Sequence, residues 1–364
     1  MEKNNLNVQD KIIQGKDITI GYFGGSITEG YGASDESKYC FRALTTSKIR
    51  ERYPNINVKE VNAGIGGTGS DLGVFRCEKD LMVTDLDLVF IEFAVNDYSK
   101  SRDNQVNNII LKSMEGIVRK ILKANKYVKI IFVYTLCDEM CEIYEKGKLP
   151  ESVQIHEKIA SYYLIPSINV GQQLLSTIKK ENEKWEDYLI DGCHPSDKGY
   201  KFYADCICDF LEGFLKENSN RIEHMLQSPI REDNLECASL LDSWLVSHDE
   251  KWIKDEATLV NRYPHMLVCN VLETELKVDF EGTAIGVYWL IAPDSGDIEW
   301  SIDGSKFIRV SSWDEFALIF TRANYYLFSY NLTKENHTLT IRVSKEKDEK
   351  SIGNWIRIGA FMIA

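Results

Sequence analysis

No stretch of this 364-residue chain approaches the roughly 18 uninterrupted apolar residues that a membrane span needs. The opening MEKNNLNVQDKIIQGKD lacks the apolar core and small-residue cleavage site of a secretory signal. Its nine cysteines, Cys40, Cys77, Cys137, Cys141, Cys193, Cys206, Cys208, Cys237 and Cys269, are odd in number and show no paired spacing of the kind that holds zinc. Small buried hydrophobes are the expected role for most of them. These absences set the expectation of a soluble protein in a reduced cytoplasm, in which the Asn331-Leu332-Thr333 sequon is idle. Basic residues are outnumbered 56 to 43, a formal charge of −13 that repels polyanions. Nucleic acid and membrane are therefore not expected partners, and neutral substrates such as sugars or esters suit the balance better.

What is present is an ordinary globular composition, 44% hydrophobic and 27% charged, in a chain long enough for two domains. Up to about residue 215, short apolar runs alternate with longer amphipathic stretches, the pattern of a parallel sheet covered by helices on both faces. The apolar runs predict strands over Asp17 to Phe23, Asn57 to Asn62, Leu86 to Ala94 and Val128 to Thr135. Helices are predicted over Tyr39 to Tyr53, Val106 to Ala124, and Ser196 to Leu215 after Pro195. From Lys216 to Glu236 the text turns polar and unpatterned, which predicts a linker over 219–236 between a first domain, 1–218, and a second, 237–364. In the second, runs such as Ala284 to Ile291, Ile298 to Ile302, Tyr325 to Tyr330, Thr338 to Val343 and Trp355 to Ile363 are separated by turn signals. That rhythm predicts an antiparallel sandwich or jelly roll.

Open α/β sheets place their sites at the carboxyl ends of strands. After the first predicted strand stands Gly24-Gly25-Ser26-Ile27-Thr28-Glu29-Gly30, whose glycines permit a tight turn that lifts the serine hydroxyl above the sheet edge. After the second stands Asn62-Ala63-Gly64-Ile65-Gly66-Gly67-Thr68-Gly69, and after the third Ala94-Val95-Asn96-Asp97. Far downstream, Asp191-Gly192-Cys193-His194-Pro195 supplies an acid three residues before a histidine. A serine hydroxyl is a weak nucleophile until a base takes its proton, and a carboxylate fixes that base in the right tautomer. Each segment alone reads more simply: a serine turn or cap, a phosphate-cradling loop without its lysine, an Asn-Asp turn, a core histidine. Their joint occurrence, in this order and at these places, carries the chemical reading.

Taken together the four segments resemble the blocks of the SGNH, or GDSL-type, hydrolases, over about 200 residues from Ile18 to Leu215. The resemblance implies a flavodoxin-like α/β/α fold and acyl-group removal from esters, with no metal or cofactor. By that resemblance Ser26 is the nucleophile, and Asp191 with His194 is the orienting acid and the general base. The oxyanion hole is then Ser26 N–H, Gly67 and Asn96. Gly25 stands where the family commonly has aspartate and Ala94 where it usually has glycine, departures that point toward a GGSIT subgroup that includes carbohydrate esterases.

GTAIGVYWLIAPDSGDIEWSIDG and NHTLTIRVS in the second half resemble the jelly-roll accessory domain of two-domain SGNH carbohydrate esterases, acetylmannan esterases among them. Tyr288, Trp289, Trp300, Trp313, Tyr325 and Tyr326 supply aromatic faces that could stack on sugars, or else fill a sandwich core. Trp313, in the loop-like SSWDEF stretch, is the substrate-contact candidate. His224, His248, His265 and His337 have no partner spacing that suggests metal. The expected activity is deacetylation of O-acetylated oligosaccharides of plant-glycan type. A short-chain esterase or thioesterase, a sugar acyltransferase, and a carbohydrate-binding protein with a vestigial catalytic half are the alternatives. A jelly-roll surface often joins copies into a homo-oligomer, but no residue pattern decides it.

Overall fold

The computed structural model describes residues 6–100, 104–217, 226–256 and 263–364. It divides into two compact units, Met1–Cys237 and Ala238–Ala364. In the first unit the strands are β1 (Ile18–Gly24), β2 (Val58–Gly64), β3 (Leu88–Glu92), β4 (Lys129–Tyr134) and β5 (Ser167–Asn169). Its helices are α1 (Val8–Ile13), α2 (Ser26–Glu29), α3 (Phe41–Arg52), α4 (Ser70–Arg76), α5 (Ala94–Lys100), α6 (Asn104–Ala124), α7 (Asp138–Glu145), α8 (Glu151–Tyr163), α9 (Val170–Glu181), α10 (Trp185–Tyr188) and α11 (Asp197–Glu217).

All five strands run parallel in the order β2-β1-β3-β4-β5. This is the flavodoxin-like order, whose ligand crevice opens where the order reverses, between β1 and β3. Every residue of β1, β3 and β4 is buried, as expected of parallel strands covered on both faces. The register brings Gly24 level with Gly64 on one side and with Glu92 on the other. The three segments that follow these residues therefore leave the sheet side by side.

Three local differences from the sequence expectation have physical reasons. Strand β3 stops at Glu92, because Ala94 to Lys100 turns at once into a helix rather than a loop. Strand β5 has only three residues, too few to show a periodic signal. The described part of the expected linker, residues 226–236, belongs to the first unit and lies along α6. There Glu115 accepts the N–H groups of Ile230 and Arg231, Arg119 donates to the Gln227 carbonyl at 2.8 Å, and Lys112 pairs with Asp233 at 2.7 Å.

The strand pairs of the second unit are antiparallel, formed by β6 (Ser239–Asp242), β7 (Ile253–Asp255), β8 (Met266–Cys269), β9 (Glu275–Gly282), β10 (Ile285–Ile291), β11 (Asp297–Ile302), β12 (Ile308–Ser311), β13 (Arg322–Ser329), β14 (Glu335–Val343) and β15 (Ile356–Ile363). One sheet runs β13-β10-β15-β8-β7 with β6 also on β15, and the other β12-β11-β14-β9. The alternate residues of β9 are buried and exposed in strict turn, the mark of a strand with one face on a core. The α/β unit followed by an all-β unit is the fold class that the sequence pattern predicted. Among the described residues no helix is long and apolar enough to cross a membrane.

Candidate active site

The turn that follows β1 is built on glycines that leave no room for a side chain. A Cβ on Gly24 would lie 2.2 Å from Thr28 Oγ1 and 2.3 Å from the Glu92 carbonyl oxygen. One on Gly25 would lie 2.0 Å from Asn96 Oδ1. The chain can thus leave β1, pass Gly25 and enter the one-turn helix α2 with Ser26 as its first residue, half-buried at the top of the sheet. Gly67 turns the second loop with φ +71° and has nothing within 4 Å of its Cβ position, so its surface faces open space. The neighbouring Gly66 N–H donates to Glu29 at 2.8 Å, which fastens this loop to the helix that carries Ser26.

Deeper contacts fix the strand ends themselves. The fully buried Arg76 guanidinium donates to the carbonyls of Ala63, at 2.7 Å, and Gly24, at 2.9 Å, and lies over the Phe23 ring. Asp97, completely buried, accepts the Ser70 N–H at 2.8 Å and meets His156 Nε2 at 2.8 Å. The second and third loops are thereby tied to each other. Glu92 lies under the serine turn at 1% exposure, accepting the hydroxyls of Thr28 at 3.0 Å and Thr135 at 2.9 Å. Burial pushes its carboxyl up to about 7, against the hydrogen bonds from Thr135, Thr28 and Gly25 N–H that favour the anion.

The fourth segment closes the site. Asp191 Oδ1 accepts the N–H groups of Cys193, at 2.8 Å, and His194, at 2.7 Å, a local turn that brings the acid and the imidazole together. Asp191 Oδ2 stands 2.8 Å from His194 Nδ1, and His194 Nε2 stands 2.8 Å from Ser26 Oγ. With Nδ1–H donating to the carboxylate, Nε2 is left to accept the serine hydroxyl. Partial burial would raise the Asp191 carboxyl. The Cys193 and His194 N–H groups and the His194 ring outweigh that and hold it below the usual value. Chemically, this arrangement can deprotonate a serine as it attacks a carbonyl.

Of the residues singled out from sequence, Ser26, His194 and Asp191 are joined by these hydrogen bonds, Asn96 meets Gly25 beside the serine, and Gly67 stands in the second loop. Gly66, next to Gly67, would place a Cβ 3.6 Å from that of Ser26. Asn96 presses its amide against Gly25 and, among the described residues, makes no side-chain hydrogen bond of its own. Cys193 Sγ is 3.5 Å from His194 Nδ1, and Asp191, Cys193 and His194 have donor atoms close enough together to hold an ion. Such an ion would compete with the hydrogen bonds that join the acid, the base and the serine.

Trp313 belongs to the second unit. It is 6% exposed and packed in the hydrophobic core of the second unit with Trp289 and Trp300, so its ring offers no free face there. Trp313 does stand in a loop, just after β12, but its large ring turns into that core, so a loop-like local text does not by itself mark an exposed aromatic. Among the other histidines, His248 meets the Val246 carbonyl, His265 meets Asp242, His337 meets Asp303, and His224 lies outside the described residues. Sequence reasoning missed Tyr31, whose ring centroid is 4.6 Å from that of His194. Its signal was an aromatic between two glycines directly after the serine turn.

A doubly wound unit with a serine, an imidazole and a carboxylate in line at its reversal point is of the acyl-hydrolase class. Residues 22–202 match the model of the GDSL-like Lipase/Acylhydrolase family. The first unit belongs to that family, and the protein is a carboxylic ester hydrolase. Two solved structures are similar over nearly the whole chain. One is a two-domain esterase active on acetylated mannans, with TM-score 0.82 and 21% identity, covering 98% of this chain and 93% of that one. The other is such an esterase co-crystallised with mannopentaose, with TM-score 0.81, the same identity and the same coverage. No curated protein sequence matches the chain.

Proposed function

We propose that this protein is a serine esterase that removes O-acetyl groups from acetylated oligosaccharides. The observation that carries the reading is the unbroken run of two 2.8 Å hydrogen bonds from Asp191 through His194 to Ser26. The carbohydrate part rests on the two-domain architecture, shared along its full length with a mannan-active esterase.

In this mechanism Ser26 Oγ attacks the acetyl carbonyl as His194 Nε2 takes its proton. The Ser26 and Gly67 N–H groups and the Asn96 amide donate to the oxyanion that forms. The tetrahedral intermediate collapses as His194 returns the proton to the sugar oxygen, which leaves as a hydroxyl with acetyl held on Ser26. Water then attacks by the same route, giving its proton to His194, and acetate departs as Ser26 recovers its hydrogen. Asp191 supports the imidazolium in both halves of the cycle.

Purified enzyme is expected to release acetate from acetylated mannan, xylan or pectin fragments and to prefer acetyl over butyryl and longer p-nitrophenyl esters. Ser26→Ala should fall at least about 10³-fold in kcat on p-nitrophenyl acetate while melting as the wild type does. Wild-type rates in Ser26→Ala would refute the mechanism. Activity on p-nitrophenyl acetate with no acetate released from any glycan would refute the substrate class alone.

A further inference from the structure

We propose that the ring of Tyr31 is the platform on which the sugar bearing the scissile acetyl group stacks. The proposal rests on the reading of the enzyme as a sugar acetylesterase and names the residue that makes it one.

The geometry starts from the leaving group. An acetyl carbonyl at Ser26 must present its alcohol oxygen to His194, which reprotonates it, so the sugar ring has to sit beside that imidazole. The aromatic face beside His194 belongs to Tyr31, with ring centroids 4.6 Å apart and planes inclined at 65°. Tyr31 is 59% exposed although its neighbours in the turn, Ile27, Thr28 and Gly30, are buried.

This exposure is not looseness, because the backbone beneath the ring is pinned. Tyr31 N–H donates to the Ser26 carbonyl at 3.0 Å, and the buried Tyr200 hydroxyl donates to the Tyr31 carbonyl at 2.7 Å. Gly30 and Gly32 on either side have φ +113° and +97°, a left-handed path that other residues rarely take. Three residues on, Ser34 donates through N–H and hydroxyl to Asp197, at 2.8 and 2.6 Å, at the start of the helix that follows His194. The Tyr31 segment and the His194 segment are thus held together.

Ile190, 54% exposed, flanks the same place, since a Cβ on Gly32 would lie 3.1 Å from Ile190 Cδ1 and 3.5 Å from His194 Cβ. The result is an apolar rim around the base, with a tyrosine hydroxyl that has no partner among the described residues. An apolar C–H face of a pyranose fits such a ring by dispersion, and the free phenol can meet a neighbouring sugar hydroxyl. A lipid chain would meet the same aromatic without using the hydroxyl.

The test compares kcat/KM on an acetylated mannooligosaccharide with that on triacetin, an acetate ester without a ring, in wild type, Tyr31→Ala, Tyr31→Phe and Tyr31→Trp. In Tyr31→Ala the ratio of oligosaccharide to triacetin activity should fall about tenfold, chiefly through KM, the size of one lost stacking contact. Tyr31→Phe and Tyr31→Trp should hold the ratio within about threefold, and thermal melting shows whether each variant is folded. An equal loss on both substrates in a folded Tyr31→Ala makes Tyr31 a support for His194 and overturns the platform alone. A wild-type enzyme that hydrolyses triacetin but no acetylated oligosaccharide overturns the substrate reading and the platform together.

Discussion

At Gly25 one methyl group separates the proposed oxyanion cradle from a blocked one. A Cβ there would lie 2.0 Å from Asn96 Oδ1 and 3.0 Å from its Cγ, a distance that forces the amide to move. The backbone at Gly25, φ −90° and ψ −149°, does not itself require glycine, so the constraint is the neighbouring side chain. Gly25→Ala should therefore fold normally yet lose about 10²-fold in kcat, the usual effect of one missing oxyanion donor. Asn96→Ala should lose as much, and the double variant no more than either, because both act on one group. Additive losses in steady-state kinetics would place the two residues in separate roles. The sequence made Gly25 visible only as a departure from the commoner aspartate, and the reason lies 71 positions away in Asn96. Ser26, Asp191 and His194 were legible because their chemistry depends on residue type and on short local turns. Tyr31 was not, because its meaning comes from a histidine 163 residues later.

The strands and helices show a parallel limit. Strands β1, β3 and β4 were readable as short, mainly apolar runs, while the three-residue β5 and the short strands β6 to β8 carry too few residues to repeat a pattern. Glu92 was hidden inside such a run, as the last residue of β3, and it makes this strand end sensitive to pH. Its carboxyl ionises near 4.5 in an unfolded chain and near 7 when folded, burial being the cause. Below 4.5 both states are protonated and Glu92 adds no pH dependence. Between 4.5 and 7 the unfolded state gives up the proton first, so the native state binds more protons and stability falls as pH rises. The fall amounts to about 3 kcal/mol across that window. Glu92→Gln removes it, so the melting temperature of the variant relative to wild type should improve steadily from pH 4.5 to 7.5. A difference that stays constant over this range would mean that Glu92 is not buried as a neutral acid. Its pH-independent part would report the altered hydrogen bonds to Thr28 and Thr135.

At the scale of the whole molecule, the residues proposed for catalysis all fall between Ser26 and His194, inside the first unit, which has a hydrophobic core of its own. That unit does not end where its last helix ends. Residues 227–236 read as a polar linker because their partners lie more than 100 positions earlier on α6, a distance at which local composition carries no information. The strap they form answers three side chains that α6 buries. Glu115, fully buried, accepts from the backbone of Ile230 and Arg231, Arg119 meets Glu236 at 2.5 Å, and Lys112 meets Asp233. Leu235, 1% exposed, covers Gly116 so closely that a Cβ there would lie 2.7 Å from the Leu235 carbonyl carbon. A protein of residues 1–237 should then melt cooperatively and hydrolyse p-nitrophenyl acetate within about tenfold of the full chain, since it keeps every group of the site. One of residues 1–218 keeps the same site but strips Glu115, Arg119 and Lys112 of these partners. Removing one partner of a buried ion pair costs roughly 3 kcal/mol or more, which in a unit of this size lowers the melting temperature by about 10 °C. Equal melting of the two truncations would show that the strap is dispensable. A marked drop confined to the shorter one places the end of the catalytic unit at Cys237, after the strap and not before it.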